Sequence, residues 1–142
     1  MLIEQPPIPY RMLFPETVWR IPMKHKAVFL TFDDGPIPEV TPWVLDLLDH
    51  YGIKATFFCV GDNVRKHPDL YRQVVEAGHR IGNHTFNHIG GFKHSISEYN
   101  NNADMANELL NTNLFRPPHG WMRWHQYAWL RRKYKVVTWD LV

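Results

Sequence analysis

Cysteine is almost missing from this chain of 142 residues: Cys59 stands alone. No disulfide framework can organise the fold, and the place of Cys59 in the apolar run ATFFCVG points to a buried thiol. Nor does any stretch reach the roughly 18 consecutive apolar residues that a membrane-spanning helix needs. A strong charge of one sign is lacking too, since the formal net charge is +2. The densest basic stretch, RRKYK at 131–135, falls where a helix is expected to end, and there it complements the helix dipole. Without a second basic cluster, a nucleic-acid surface is not expected. The first residues, MLIEQPPIPYRMLF, lack the charged start and apolar core of a secretory leader. As the sequence stands, a cytoplasmic location is expected, and a secreted one if a leader has been removed.

What is present describes an ordered globular protein. Hydrophobic residues make up 44% and aromatic ones 14%, and no low-complexity run interrupts them. The length fits one domain with a real core but is short for a full α/β barrel. Apolar runs alternate with amphipathic stretches along most of the chain. The pattern predicts strands at 27–33, 55–61, 79–85, 114–120 and 135–141. Helices are predicted over 41–52, with Val44, Leu47, Leu48 and Tyr51 on one face, and over 67–78, with Leu70, Val74 and Val75. Two more are expected in the second half of 97–111, where Met105, Leu109 and Leu110 line up, and over 125–134. Short strands alternating with helices imply parallel pairing through crossovers.

One feature of the first strand needs explaining. AVFLTFDDGP (27–36) runs from apolar residues straight into two adjacent carboxylates. A turn accounts for one aspartate, but two like charges beside a core repel and are costly unless something pairs with them. In a parallel α/β fold the strand ends preceding the helices gather on one face, where ligands bind. Asp33 and Asp34 close the first strand, His84 and His88 follow the third, and Arg116 and His119 close the fourth. The two histidines in NHTFNH can converge on one ion if the segment makes a helical turn or a tight loop. Adding one aspartate leaves coordination positions open for water, as in a catalytic site. The second aspartate is then placed to take a proton. The doublet makes sense as one ligand and one base, with a cation offsetting their repulsion.

In order and spacing, TFDDG (31–35), HTFNH (84–88) and RPPHG (116–120) resemble the first three motifs of the polysaccharide deacetylase, or NodB-homology, family. The resemblance covers residues 23–142. It implies a distorted (β/α) barrel that removes N-acetyl, sometimes O-acetyl, groups from sugars with one divalent metal, often zinc, with cobalt or nickel as alternatives. By that pattern Asp33 is the general base, and Asp34, His84 and His88 bind the ion. Arg116 matches the arginine that holds the catalytic aspartate. His119 falls where the family usually has an aromatic residue whose backbone N–H stabilises the oxyanion, and a backbone donor tolerates that exchange. The implied reaction is attack of metal-bound water on an acetyl carbonyl of a carbohydrate partner.

Two departures stand beside the likeness. The family's fourth motif has an aspartate–tryptophan pair a few residues beyond a tryptophan like Trp139. Its fifth motif, a leucine–x–histidine supplying the general acid, has no counterpart. The expectation is therefore the first five units of a longer barrel, incomplete at its C-terminal side, with a fifth strand exposed as an apolar edge. Residues 1–22 are expected to pack on the outside or bottom of that barrel as an extension, and nothing selects an oligomeric state. Trp121 and Trp124 are candidates for stacking on sugar rings, or equally loop anchors, and Trp139 joins them as a candidate substrate contact. Asp62 is expected to cap a helix, with a place in the lining of the site as the alternative, and Asn83 is a candidate for orienting a neighbouring ligand. A hydrolase of another amide, of deformylase or ureide type, and a non-catalytic sugar- or metal-binding relic are the alternative functions.

Overall fold

The computed structural model describes residues 6–140. Strands β1 (Thr31–Asp33), β2 (Thr56–Cys59), β3 (Arg80–Asn83), β4 (Leu114–Phe115) and β5 (Lys135–Val136) form one sheet in sequential order, every neighbouring pair parallel. Helix α1 (Ile8–Met12) precedes the sheet. Helix α2 (Thr41–His50) joins β1 to β2, while α3 (Gly61–Lys66) and α4 (Pro68–Glu76) join β2 to β3. Helix α5 (Ile96–Leu110) leads to β4, and α6 (Trp124–Leu130) to β5. Parallel strands need such crossovers, because a hairpin returns the chain in the opposite direction. Sequential order is that of a barrel arc, whereas a doubly wound sheet reverses its order partway. The expected α/β architecture is therefore present as five units of a (β/α) barrel type.

Alternation along the strands decides what each residue meets. On β2, Phe57 and Cys59 face the helices and pack with Val44, Leu48, Val64, Val74, Ala106 and Leu110. Burial pushes the Cys59 thiol up to about 12, and the nearby Asp33 charge adds to the shift. Phe58 faces the other way, where the Arg116 guanidinium lies 4.1 Å from its ring centre. Across on β3 only glycine fits, since a Cβ on Gly82 would come within 2.3 Å of the Phe58 ring. A second core joins Tyr99 and Ala103 of α5, Tyr127 and Leu130 of α6, Phe115, Val136 and Phe14. Burying each such large side chain contributes roughly 1.5–3 kcal/mol.

Several boundaries differ from the pattern in the sequence. The strand expected over 27–33 forms only at Thr31–Asp33, and Val28 and Phe29 are 84% and 56% exposed. They precede β1 at the outer edge of the sheet, where β1 pairs only with β2. The exposed apolar edge thus lies at β1 and not at β5, whose side is met by Val18 in a parallel bridge to Val137. Residues 8–19 of the N-terminal segment pack along this β5 side; residues 1–5, and Leu141 of the last expected strand, lie outside the described residues. Helix α5 spans its whole segment because Ser95 and Glu98 form a capping box. Its buried face is Tyr99, Ala103, Ala106 and Leu110, leaving Met105 and Leu109 exposed. On α2 and α4, Leu47, Tyr51 and Val75 are likewise exposed while Val44, Leu48 and Val74 carry the packing. The strand expected at 55–61 ends at Cys59, and Gly61 already opens α3.

Candidate metal centre and catalytic face

The aspartate doublet divides at a backbone reversal. Asp33 is the last residue of β1, and Asp34 has φ 68°, in the left-handed region that aspartate tolerates better than most residues. The two carboxylates consequently find different partners. Asp33 Oδ1 accepts from Arg116 Nη1 at 2.8 Å. Asp34 Oδ1 lies 3.0 Å from His88 Nε2 and 3.4 Å from His84 Nε2. The Asp34 carboxyl is held below its ordinary range by the His84 hydrogen bond, with partial burial opposing and the His88 charge assisting. Asn63, from α3, donates to the Asp34 carbonyl at 2.7 Å and fixes the reversal.

His84 and His88 converge through a tight loop, not a helical turn. Thr85 and His88 both have positive φ, 63° and 54°, and for β-branched Thr85 that is a genuine outlier. Three hydrogen bonds hold Thr85 there. Its N–H donates to Asn83 Oδ1 at 2.9 Å, its carbonyl accepts from Gly61 N–H at 3.0 Å, and its hydroxyl accepts from Ile89 N–H at 3.2 Å. Asn102 on α5 takes the N–H groups of Phe86 and Asn87 at 2.8 and 2.9 Å. Asn83 therefore supports the loop and not a ligand directly: its amide donates to Ala103 on α5 at 2.8 Å. It shares the helix-facing register of Cys59 and Phe115.

His84 is 2% exposed, and its Nδ1 sits 2.7 Å from the Arg116 carbonyl. Donation from Nδ1–H leaves the Nε2 lone pair free toward Asp34. Burial lowers the pKa of His88, against the opposing pull of Asp34, and so favours the neutral ring that a metal requires. Donor atoms of Asp34, His84 and His88 all lie within 4.8 Å of one another. One carboxylate oxygen and two imidazole nitrogens at that separation fit a divalent cation with further positions open.

Arg116 is the cation that balances Asp33. It is 3% exposed, and burial lowers its pKa while Asp33 raises it; a guanidinium stays charged regardless. Nη1 donates to Thr31 Oγ1 as well as to Asp33, both at 2.8 Å. Nη2 donates to the Thr138 carbonyl at 2.8 Å, and Nε to the Val137 carbonyl at 3.3 Å. Thus the arginine ties β1, β4 and the end of β5 together beneath Asp33.

The segment after Arg116 makes a single 3-10 turn, Pro118–Gly120, with His119 at φ 61° and Gly120 at φ 74°. The His119 ring meets the His88 ring edge-on at 4.9 Å. Among the described residues nothing accepts its backbone N–H. Trp139 fills the space where a Gly120 side chain would be, 2.4 Å from an added Cβ, and lies 6.0 Å from the Arg116 guanidinium. Trp121, 44% exposed, packs edge-on to Tyr10 at 4.7 Å. Trp124 is 55% exposed at the start of α6, with its ring against His125. Beside the metal donors opens a cleft of ≈ 320 Å³, lined by Asp34, Ile37, Val60, Asp62, Asn63, Asn87 and His88. Asp62 does not cap α3, whose N-cap is Val60. Its carboxylate pairs instead with Arg65 at 2.7 Å and Lys66 at 2.5 Å, which lowers its pKa.

Parallel strands in barrel order, with an Asp–His–His donor set on the face where the strands end, define a protein of (β/α)-barrel type with a candidate metal site. The chain belongs to the polysaccharide deacetylase family, whose model matches residues 20–136. Two peptidoglycan-N-acetylglucosamine deacetylases of Bacillus cereus are 38% identical to it over 134 residues and 37% over 127. Those alignments cover 86% and 84% of this chain, and 60% and 46% of the relatives' own length. The crystal structure of the Bc1960 peptidoglycan N-acetylglucosamine deacetylase with 4-naphthalen-1-yl-N-oxidanyl-benzamide superposes with a TM-score of 0.85 at 33% identity. That likeness covers 93% of this chain and 64% of the other. The chain spans only part of each relative's length.

Proposed function

We propose that the protein of which this chain forms at least the metal-site half is a zinc-dependent hydrolase that removes N-acetyl groups from an amino-sugar polymer, with peptidoglycan as the first substrate to test. One observation carries the reading: adjacent carboxylates have separate partners, Asp33 on a buried arginine and Asp34 on two imidazoles. A bound divalent ion would supply Lewis-acid polarisation and make water more acidic. Asp34, His84 and His88 would hold it. Asp33, paired with Arg116, takes the proton that the attacking water must lose as its oxygen bonds to the acetyl carbon; the C–N bond then breaks, releasing acetate and the sugar amine, which gains a proton as it leaves. The free His119 N–H donates to the carbonyl oxygen as charge develops there. The hydroxamic-acid compound carried by the Bc1960 relative belongs to a class of metal chelators, which supports an ion in the equivalent place. Relatives named for peptidoglycan N-acetylglucosamine support the substrate class.

The test is acetate release from peptidoglycan and from N-acetylglucosamine oligomers, with zinc and after chelation, by the full-length protein. Turnover should need the metal, and Asp33→Asn should lower kcat by ~10²–10⁴ while zinc affinity stays. Full activity in Asp33→Asn removes the base assignment. Release from formamides or ureides but not acetamides moves the reaction to another amide.

A further inference from the structure

We propose that Tyr10 is a positioning residue for the turn at 118–121, fixing the His119 N–H for the substrate carbonyl; the proposal rests on the hydrolase reading above. Tyr10 lies on α1, ahead of the residues 20–136 that the family model matches. Its hydroxyl donates to the Gly120 carbonyl at 3.1 Å, across 110 residues of sequence. Its ring meets Trp121 edge-on at 4.7 Å and Phe14 at 4.9 Å. Two consecutive residues of the turn are therefore gripped by one side chain, while Trp139 occupies the space beside Gly120.

The turn needs outside support. His119 is a non-glycine residue at φ 61°, a strained conformation that persists only where the surroundings enforce it. Its internal hydrogen bonds are two, Gly120 N–H to the Pro117 carbonyl at 2.9 Å and Trp121 N–H to the Pro118 carbonyl at 3.4 Å, the second long. A hydrogen-bond donor for a developing oxyanion works because it is aimed beforehand. Tyr10 can act as a fixed post because its own segment is fastened to the sheet. Phe14 is 2% exposed, Val18 N–H donates to the Val136 carbonyl at 2.8 Å, and Thr138 N–H donates to the Val18 carbonyl at 3.0 Å. Burial pushes the Tyr10 hydroxyl up to about 12, so it remains a donor in neutral and mildly alkaline solution.

Tyr10→Phe keeps the ring contacts and deletes the hydrogen bond. In the full-length protein, amide exchange of a peptide spanning 117–122 should become about threefold to tenfold faster, with a peptide from α5 unchanged as the control for folding. On acetylated oligomers kcat should fall by a similar factor, while KM stays within about twofold and zinc affinity does not move. Unchanged exchange in the turn overturns the grip whatever happens to activity. Faster exchange with an unaltered kcat overturns the positioning role, and so does a loss of kcat matched by a loss of zinc affinity. Wild-type protein that releases acetate from none of the substrates sinks the hydrolase reading instead, and turn exchange still decides whether Tyr10 holds the loop.

Discussion

The two halves of the strand-end face are built from similar groups and stabilised in opposite ways. In the inner half Asp33, Arg116 and Thr31 already satisfy one another, and the arginine is 3% exposed. In the outer half Asp34, with a side chain 55% exposed, faces the Nε2 atoms of two imidazoles, at 3.4 Å from His84 and 3.0 Å from His88. The inner half pairs its charges within the protein, whereas the outer one brings three candidate metal donors within 4.8 Å of one another. Charge balance thus separates the two carboxylates, although they are consecutive in the chain.

The comparison breaks most visibly at the metal. Calorimetry should find one zinc bound by the parent and none by the Asp34→Ala, His84→Ala, His88→Ala triple variant, which should still unfold cooperatively. A triple variant that keeps zinc would mean that the outer half is not the metal centre. Next in size is Arg116→Met. It leaves the partly exposed Asp33 carboxylate without its cation and strands two backbone carbonyls, and should lower unfolding free energy by about 1–3 kcal/mol in urea titrations. Adding Asp33→Asn to that variant should recover part of the loss, because the stranded charge is gone. Additive losses would show that Arg116 stabilises the fold through its other partners, the Val137 and Thr138 carbonyls and the Phe58 ring, and not through Asp33.

The smallest effect tests a histidine outside both halves. His79 is 8% exposed and its Nδ1 accepts from Ala55 N–H at 3.3 Å, so burial lowers its pKa. The folded state therefore resists a proton that the unfolded chain accepts. Its contribution is fully present above the ordinary histidine value of about 6.5 and is lost as pH falls toward the lowered one. Metal-free protein should have a lower urea midpoint at pH 5 than at pH 7.5, by up to ~1.4 kcal/mol per pH unit across that window, and His79→Leu should flatten the slope. An equal slope in that variant would assign the acid sensitivity to other groups, His88 and the Asp34 carboxylate among them.

Much of this was legible in the residues themselves. The strand–helix alternation yields the parallel sheet, and Asp34, His84 and His88 fall together because their strands end at the same face. What pattern alone missed lies where tertiary contacts overrule it. Val28 and Phe29 look like buried strand but border a sheet edge, and apolar runs carry no sign of which edge is covered. Ser95-x-x-Glu98 is a capping box visible in sequence, and it signals the full extent of α5 better than the Met105–Leu109 spacing does. The anchors Asn63, Asn102 and Thr31 were not readable, since each works by meeting a backbone or guanidinium group brought in from elsewhere. Tyr10 was hidden for the same reason, its partner being 110 residues away.

The left-handed residues on this face set a limit for anyone wishing to stabilise the protein. Asp34, Thr85, His88 and His119 all adopt φ values that glycine would accept without strain. A stability-guided redesign would therefore be drawn to these positions first, and a glycine at Asp34, Thr85 or His88 would relax the backbone while removing a candidate ligand or the hydroxyl that holds its loop. Robustness and chemistry compete at the same few backbone angles. Gains are better sought on α4, whose exposed Val75 lies outside the candidate site.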